Sequence, residues 1–116
     1  MKKIYFLKTC DTCKRILNSI DLDGFVLQDI KSEPITVTQL EEMHFLSGTY
    51  ESLFSRRAKK YKTMDLKNQV LTEVDIKQLI LDEYTFLKRP VIIFNDLIFI
   101  GNSKKNIEAL IHNLGK

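Results

Sequence analysis

The sequence contains little of what would assign it to a specialised class of protein. Its 116 residues include two cysteines, two histidines, two prolines and no tryptophan. No stretch approaches the roughly 18 apolar residues of a membrane-spanning helix, and repeats and low-complexity segments are absent. The net charge of +3 is spread along the chain, so composition alone does not indicate a nucleic-acid-binding protein. These absences leave an ordinary globular chain that is long enough for a single core.

The scarcity of cysteine and histidine also bears on metal binding. A zinc site needs about four ligands. Cys10 and Cys13 are the only cysteines, and His44 and His112 stand alone in separate segments with helical patterns. We therefore expect no metal site. Structural zinc and a pair of buried packing cysteines are the alternative interpretations of the cysteine pair.

The segment Cys10–Cys13 lies between two different periodicities. Residues 3–8 form a short run whose central positions 4–7 are apolar or aromatic, as in a buried strand, whereas the apolar positions 16, 17 and 20 have helical spacing. We therefore expect the two sulfurs at a helix N-terminus, where free N–H groups and the helix dipole stabilise a thiolate, the reactive form of cysteine. Basic residues at positions 8, 14 and 15 flank the motif, which argues against an apolar packing pair.

The first residues of the chain predict a cytoplasmic protein. Met1 leads directly into the expected strand, with no apolar signal region and no small-residue cleavage site. In a reducing cytosol, two closely spaced cysteines are more often catalytic or redox-sensing than a structural disulfide.

The remaining periodicities predict the fold. A second strand over residues 25–30 forms a β-α-β unit with the first, so the two strands should be parallel. A mainly helical stretch follows, and then Val91–Phe94 and Leu97–Ile100 flank a two-residue turn, as in a β-hairpin before a last helix. This order predicts an α/β fold with a four-stranded mixed sheet in a thioredoxin-like layout (β-α-β, helical insertion, β-β-α). We expect a single domain over residues 1–116, with a helical insertion at about 36–86.

Three local signals refine this prediction. The segments Thr38–Glu41 and Thr72–Asp75 have the capping-box pattern and are expected to start helices. Pro90 directly precedes the first strand of the hairpin. We predict a cis bond between Arg89 and Pro90, with this backbone and the Arg89 side chain next to the cysteines.

Three segments together resemble the arsenate reductase/Spx-like family. The cysteine loop Thr9–Lys14, the mid-chain basic segment Leu53–Tyr61 and the strand entry Leu87–Ile92 match its motifs in order and in register. The family includes glutaredoxin-coupled arsenate reductases, transcriptional regulators of the Spx type with a CxxC motif, and small proteins of unproved activity. The resemblance covers essentially the whole chain.

The resemblance implies roles for individual residues. In the family's reductases the first cysteine attacks arsenate and three arginines hold the oxyanion. Carried over, Cys10 is the nucleophile, and Arg57 and Arg89 are two of the three arginines. Arg56 replaces Arg57 if the alignment shifts by one residue. We expect no bound cofactor, and glutathione and glutaredoxin as co-substrates. The predicted catalytic residues are Cys10, Cys13, Arg57 and Arg89, and the predicted substrate-binding residues are Thr12, Lys14, Arg56 and Pro90.

The chain departs from the reductases at two places. Their third arginine lies just after the hairpin, where this chain has Lys104 and Lys105. Lysine lacks the planar, bidentate fork that suits an oxyanion. The position of Cys13 is also usually not a cysteine in those reductases. Both departures favour the Spx-like and uncharacterised branches, and we expect arsenate reduction to be poor.

Two hypotheses for the function remain. In the first, the chain is a thiol-dependent oxidoreductase: Cys10 attacks an oxyanion or a disulfide sulfur, and Cys13 resolves the intermediate by forming the Cys10–Cys13 disulfide. Glutaredoxin or thioredoxin would be its partner. In the second, it is an Spx-like redox-sensing regulator whose disulfide switches binding to RNA polymerase. In either case we expect a monomer with no membrane partner and no direct nucleic-acid contact, and we interpret the lysines at 59, 60 and 62 as a solvated face.

Overall fold

The computed structural model describes residues 1–116, which form two compact units. The first unit combines Met1–Pro34 with Arg89–Lys116, and the second is Ile35–Lys88. Whether the chain is one domain with a helical insertion stays a prediction. The helices and strands, in chain order, are β1 (Lys2–Phe6), α1 (Asp11–Asn18), β2 (Val26–Asp29), α2 (Val37–Ser47), α3 (Lys59–Thr63), α4 (Glu73–Asp82), β3 (Val91–Phe94), β4 (Leu97–Ile100) and α5 (Lys104–Leu114).

The sheet of the first unit has four strands in the order β2-β1-β3-β4. Strand β1 is parallel to β2 and antiparallel to β3, and β3 is antiparallel to β4. The parallel pair is joined through α1, and β3 and β4 form a tight hairpin. These pairings confirm the α/β class, the mixed four-stranded sheet and the thioredoxin-like layout predicted from the sequence.

Two helices cover one face of this sheet. The side chains of a strand alternate between faces, and the register aligns Ile4, Ile92 and Phe99 across β1, β3 and β4. Helices α1 and α5 bury their apolar stripes against this row, which packs α1 against the sheet. The buried cluster contains Ile4, Ile16, Leu17, Ile20, Ile92, Phe99, Leu110 and Leu114.

Strand β1 is shorter than the sequence pattern predicted. It ends at Phe6 rather than at residue 8, because residues 7–10 form a turn in which the Cys10 N–H donates to the Leu7 carbonyl at 3.0 Å. The apolar side chain of Leu7 therefore did not mean that β1 continues its strand pairing at this residue. The turn brings the chain directly from the strand edge to the first residue of α1.

The second unit is helical. Besides α2, α3 and α4 it contains 3-10 turns at Glu51–Leu53, Leu66–Asn68 and Tyr84–Phe86. Neither these elements nor the helices of the first unit are long and apolar enough to cross a membrane. The buried apolar side chains include Leu40, Met43, Leu53, Phe54, Ile76, Ile80 and Phe86.

The predicted start of α2 was wrong by two residues. Its N-cap is Thr36, not Thr38: the Thr36 hydroxyl accepts the Gln39 N–H, and the Gln39 side chain accepts the Thr36 N–H, both at 3.0 Å. The predicted cap of α4 is confirmed, with the same reciprocal pair between Thr72 and Asp75. Such caps satisfy N–H groups that the helix itself leaves without partners.

Candidate active site

Cys10 is the residue immediately before α1, with an extended backbone (φ −93°, ψ 112°). Its carbonyl accepts the first helical hydrogen bond, from the Lys14 N–H at 3.1 Å. Cys13 lies three residues later, in the first turn of the helix. Both are free thiols, but Cys10 is half-buried whereas Cys13 is 0% exposed. The pair therefore offers one accessible sulfur next to one that solvent does not reach.

Burial raises the pKa of Cys10, but the polar groups around its sulfur outweigh this effect, and the pKa lies below the ordinary value of a thiol. The backbone N–H of Cys13 lowers it most, followed by the Cys13 thiol and the backbone N–H of Thr12. The sulfur makes no capping hydrogen bond of regular geometry, so these N–H groups act mainly through the positive potential of the helix start. Cys10 thus has the environment of a reactive cysteine.

Burial raises the pKa of Cys13 to about 11. The backbone of Leu7 opposes this effect, and the neighbouring Cys10 adds to it, because a second negative charge beside the first is unfavourable. Cys13 therefore keeps its proton to higher pH than Cys10 does. When the pair loses its first proton, the negative charge is on Cys10.

Strand β3 brings Arg89 and Pro90 to the cysteines. Tyr5 pairs with Val91, so the residues before β3 lie at the end of β1 that leads into the cysteine loop. The charge of the half-buried Arg89 lowers the pKa of both cysteines. The Arg89–Pro90 bond is cis, which confirms the prediction, and the buried Pro90 accepts the Gly101 N–H through its carbonyl at 2.8 Å.

The other predicted residues of this unit are Thr12 and Lys14. Thr12 is half-buried and acts on Cys10 through its backbone, whereas Lys14 is exposed on α1. Their predicted contact with substrate stays a prediction. No group of three or more His, Cys, Asp or Glu side chains is arranged to hold a metal ion.

Arg56 and Arg57 lie in the second unit, in the turn before α3. Arg56 donates to the Glu51 carboxylate at 3.2 Å, and its guanidinium lies 5.5 Å from the centre of the Phe54 ring. Arg56 also lines a cleft of about 300 Å³ within this unit. Arg57 is exposed and forms no ion pair or hydrogen bond. The role of either arginine in anion binding stays a prediction.

One residue that sequence reasoning did not single out contacts the turn that leads into the cysteine loop. Asp29, the last residue of β2, accepts the N–H of Lys8 at 3.1 Å. Parallel pairing aligns Phe6 with Asp29, so the end of β2 lies beside the point where β1 enters the loop. A polar residue at the end of a strand parallel to β1 was the available signal, because parallel strands end at the same edge of a sheet.

Comparison with known proteins supports the fold and points to a family. A model described as the ArsC family matches residues 5–110, a range that includes both cysteines, both candidate arginines of the basic segment, and Arg89. No curated protein matches the chain significantly.

Several solved structures are similar to the chain over nearly its whole length. The YffB (PA3664) protein is 21% identical with a TM-score of 0.81, over 99% of this chain and 100% of the other. The SACOL0876 protein from Staphylococcus aureus COL is 27% identical with a TM-score of 0.73, over 94% and 97%. An arsenate reductase from Vibrio cholerae is 16% identical with a TM-score of 0.73, over 96% and 95%. These likenesses establish a shared fold.

Proposed function

Because the chain belongs to the ArsC family, we propose that it is a thiol-dependent oxidoreductase in which Cys10 is the nucleophile and Cys13 the resolving thiol. The observation that carries this proposal is the unequal pair at the start of α1. The pKa of Cys10 is lowered, whereas that of Cys13 is raised to about 11. A thiolate is required for attack on a disulfide, and the neighbouring Cys13 stays protonated during the first step and attacks in the second.

In the first step, the Cys10 thiolate attacks one sulfur of a substrate disulfide. A bond forms between Cys10 and that sulfur, the substrate S–S bond breaks, and the other substrate sulfur leaves as a thiolate that takes a proton from water. Arg89 and the N–H groups of Thr12 and Cys13 stabilise the attacking thiolate. The product is a mixed disulfide between Cys10 and half of the substrate.

In the second step, Cys13 loses its proton and attacks the Cys10 sulfur, which releases the second half of the substrate as a thiol. The substrate has then gained two electrons and two protons: both electrons and the Cys13 proton come from the cysteine pair, which becomes the Cys10–Cys13 disulfide, and the other proton comes from water. A bonded Cys10 carries no negative charge, so one cause of the raised pKa of Cys13 is gone by this stage. We expect glutathione, with glutaredoxin or thioredoxin as the protein partner, to reduce the disulfide.

Arsenate is the alternative substrate of this site. In the family's reductases three arginines hold the oxyanion, and this chain offers Arg57 and Arg89 for that role. The contact between Arg56 and Glu51 supports Arg57 as the first of them, because Arg57 has no partner of its own. With only lysines at 104 and 105 in place of the third arginine, a thiol or disulfide linked to glutathione is the better substrate class.

The test is turnover by the purified protein of two substrates under the same conditions. One assay follows glutathione-dependent reduction of bis(2-hydroxyethyl) disulfide, and the other follows glutaredoxin-coupled arsenate reduction. We expect clear disulfide turnover that Cys10→Ser abolishes and Cys13→Ser lowers, together with slow arsenate turnover. Asn18→Ser, an exposed position at the far end of α1, is the matched control and should behave like the natural chain.

The second candidate is an Spx-like redox-sensing regulator, which would use the same two free cysteines as a switch. The i, i+3 spacing of the pair at the start of α1 supports this function as well. It predicts no turnover of either substrate, and binding to RNA polymerase that changes when the cysteines are oxidised. A pull-down with RNA polymerase, with the protein reduced and oxidised, separates the two candidates.

A further inference from the structure

We propose that Asp29 is a positioning residue for the cysteine pair: its carboxylate fixes the loop between β1 and α1 by holding the backbone of Lys8. This inference rests on the proposed function, in which Cys10 and Cys13 are the reacting groups. Asp29 lies on a different strand, 19 positions after Cys10 in the sequence, and no motif of the sequence marks it.

The sheet delivers Asp29 to this position. In the parallel pairing of β1 with β2, Phe6 is aligned with Asp29, and the Ile30 N–H donates to the Phe6 carbonyl at 3.0 Å. The last residue of β2 is thereby fixed next to the last residue of β1. Two residues beyond Phe6, the Lys8 N–H donates to Asp29 Oδ1 at 3.1 Å.

The carboxylate is itself held in place from the other side. Its second oxygen, Oδ2, accepts the Ser32 hydroxyl at 3.0 Å, and the Asp29 carbonyl accepts the Glu33 N–H at 2.8 Å. The Lys8 N–H lowers the pKa of Asp29 most, followed by the Ser32 hydroxyl and the backbone N–H groups of Lys31 and Ser32. The bond to Lys8 is therefore charge-assisted, a class that is roughly twice as strong as bonds between neutral groups.

The loop that Asp29 holds is short, so fixing one residue fixes the others. Only four residues, 7–10, connect β1 to α1. The Cys10 N–H donates to the Leu7 carbonyl at 3.0 Å, and the backbone of Leu7 also acts on the Cys13 sulfur. Lys8 follows Leu7 directly and lies between Leu7 and Cys10 in the loop. A loop that is free to move at Lys8 would change the position of the Cys10 sulfur over the N–H groups of the helix.

The negative charge of Asp29 distinguishes a positioning role from a direct electrostatic effect on the Cys10 thiol. A carboxylate near a thiol disfavours the thiolate, so an electrostatic effect of Asp29 on Cys10 would oppose reactivity. Asp29 can therefore favour the thiolate only through geometry, by keeping the sulfur where the N–H groups of Thr12 and Cys13 act on it. Removing the hydrogen bond and removing the charge are expected to have opposite effects on Cys10.

The experiment compares two substitutions of Asp29 with a control. Asp29→Ala removes both the hydrogen-bond acceptor and the charge, whereas Asp29→Asn removes the charge but keeps an oxygen for the Lys8 N–H. Asp96→Ala removes a carboxylate from the exposed β3–β4 turn, where it forms no hydrogen bond. Each variant is made with Cys13→Ser, and the rate of Cys10 alkylation by iodoacetamide is measured from pH 5 to pH 10.

We expect Asp29→Ala to shift the alkylation midpoint to higher pH and to lower the rate at neutral pH by roughly threefold to tenfold, as a smaller thiolate fraction requires. Asp29→Asn should retain the midpoint of the parent or shift it slightly to lower pH. Asp96→Ala should match the parent. Circular dichroism monitors folding, and Asp29→Ser, whose hydroxyl is too short to reach Lys8, replaces Asp29→Ala if that variant does not fold.

Two results would overturn the proposal. An unchanged or lowered midpoint in Asp29→Ala would mean that the carboxylate acts only as a charge or only on stability. Equal upward shifts in Asp29→Ala and Asp29→Asn would mean that the Lys8 hydrogen bond is not the connection. Because alkylation is measured without any turnover, these results are separate from a failure of the proposed oxidoreductase activity.

Discussion

At the residue scale, the two cysteines differ in what surrounds their sulfur atoms, although they are only three positions apart. Cys10 is accessible and lies at the N–H groups of the helix start, whereas Cys13 is buried within the first turn. The N–H groups of the helix start therefore lower the pKa of Cys10, whereas burial raises that of Cys13. Arg89 adds a positive charge that acts on both.

This asymmetry predicts different titration of the two thiols. Alkylation by iodoacetamide should show a midpoint below that of an ordinary thiol for Cys10, measured in Cys13→Ser. In Cys10→Ser, Cys13 should react slowly, with a midpoint well above that of Cys10, because burial remains as the main cause of its raised pKa. Equal and high midpoints for the two thiols would contradict the assignment of Cys10 as nucleophile.

The missing third arginine predicts weak arsenate reduction that can be improved. Asn102 is exposed between β4 and α5. It follows Gly101, whose N–H donates a hydrogen bond to the Pro90 carbonyl. One bidentate arginine contact is worth roughly a tenfold to hundredfold change in anion binding. We expect Asn102→Arg to increase coupled arsenate turnover, whereas Asn18→Arg, at the far end of α1, should not. Efficient turnover by the natural chain would show that a lysine such as Lys104 already replaces the arginine.

The sequence could predict part of the site and not the rest. Cys10 and Cys13 were found because a local motif and a change of periodicity mark them, and the cis bond at Pro90 because proline limits its own backbone. Asp29 was not found, because only the pairing of β1 with β2 brings it to Lys8. A local sequence motif cannot predict a contact that depends on the pairing of two strands distant in sequence.

At the element scale, the start of α2 shows where sequence patterns are ambiguous. Thr36 and Thr38 are both followed three residues later by Gln or Glu, so both match the capping box. A cap at Thr36 places the apolar Ile35 before it and the buried Leu40 at the fourth helical position, which fits a hydrophobic staple. The corresponding position for Thr38 is the charged residue 42, so the staple was the signal that separates the two.

The cap assignment predicts unequal effects of two similar substitutions. Thr36→Ala removes the hydroxyl that accepts the Gln39 N–H and should lower the free energy of unfolding by about 1 kcal/mol. Thr38→Ala alters an exposed residue within the first turn and should change it by only a few tenths of a kcal/mol, since alanine is the better helix former. Urea unfolding of both variants checks this, and the reverse order would place the cap at Thr38.

At the scale of the whole molecule, the order of elements predicted the sheet well. The β-α-β segment required parallel β1 and β2, and the apolar strands around a two-residue turn required the β3–β4 hairpin. The lengths of the elements were less predictable, as the early end of β1 at Phe6 shows, because a half-buried loop residue such as Leu7 is as apolar as a strand residue. The number of compact units was not evident from composition either.

Burial of Cys13 links the state of one thiol to the stability of the whole chain at high pH. The pKa of Cys13 rises from an ordinary 9.0 to about 11 on folding. Between these values the unfolded chain loses the proton and the folded chain keeps it, so stability is present below about pH 9 and is lost as pH rises toward 11. The loss is on the order of 2 kcal/mol.

The measurement is urea unfolding of the reduced protein from pH 8 to pH 10.5, for the natural chain and for Cys13→Ala. Contributions of lysines and tyrosines are common to both and cancel in the difference. We expect the advantage of the natural chain to shrink as pH rises. A difference that does not depend on pH would mean that Cys13 is not shielded from solvent in the folded state.

The central claim is that Cys10 attacks and Cys13 resolves, and trapping the intermediate tests it most directly. The reduced natural chain and Cys13→Ser are each exposed to glutathione disulfide, quenched with acid and analysed by mass spectrometry. We expect Cys13→Ser to accumulate a glutathione adduct on Cys10, and the natural chain to release glutathione and form the Cys10–Cys13 disulfide. A stable adduct on the natural chain, or an adduct on Cys13, would contradict the claim.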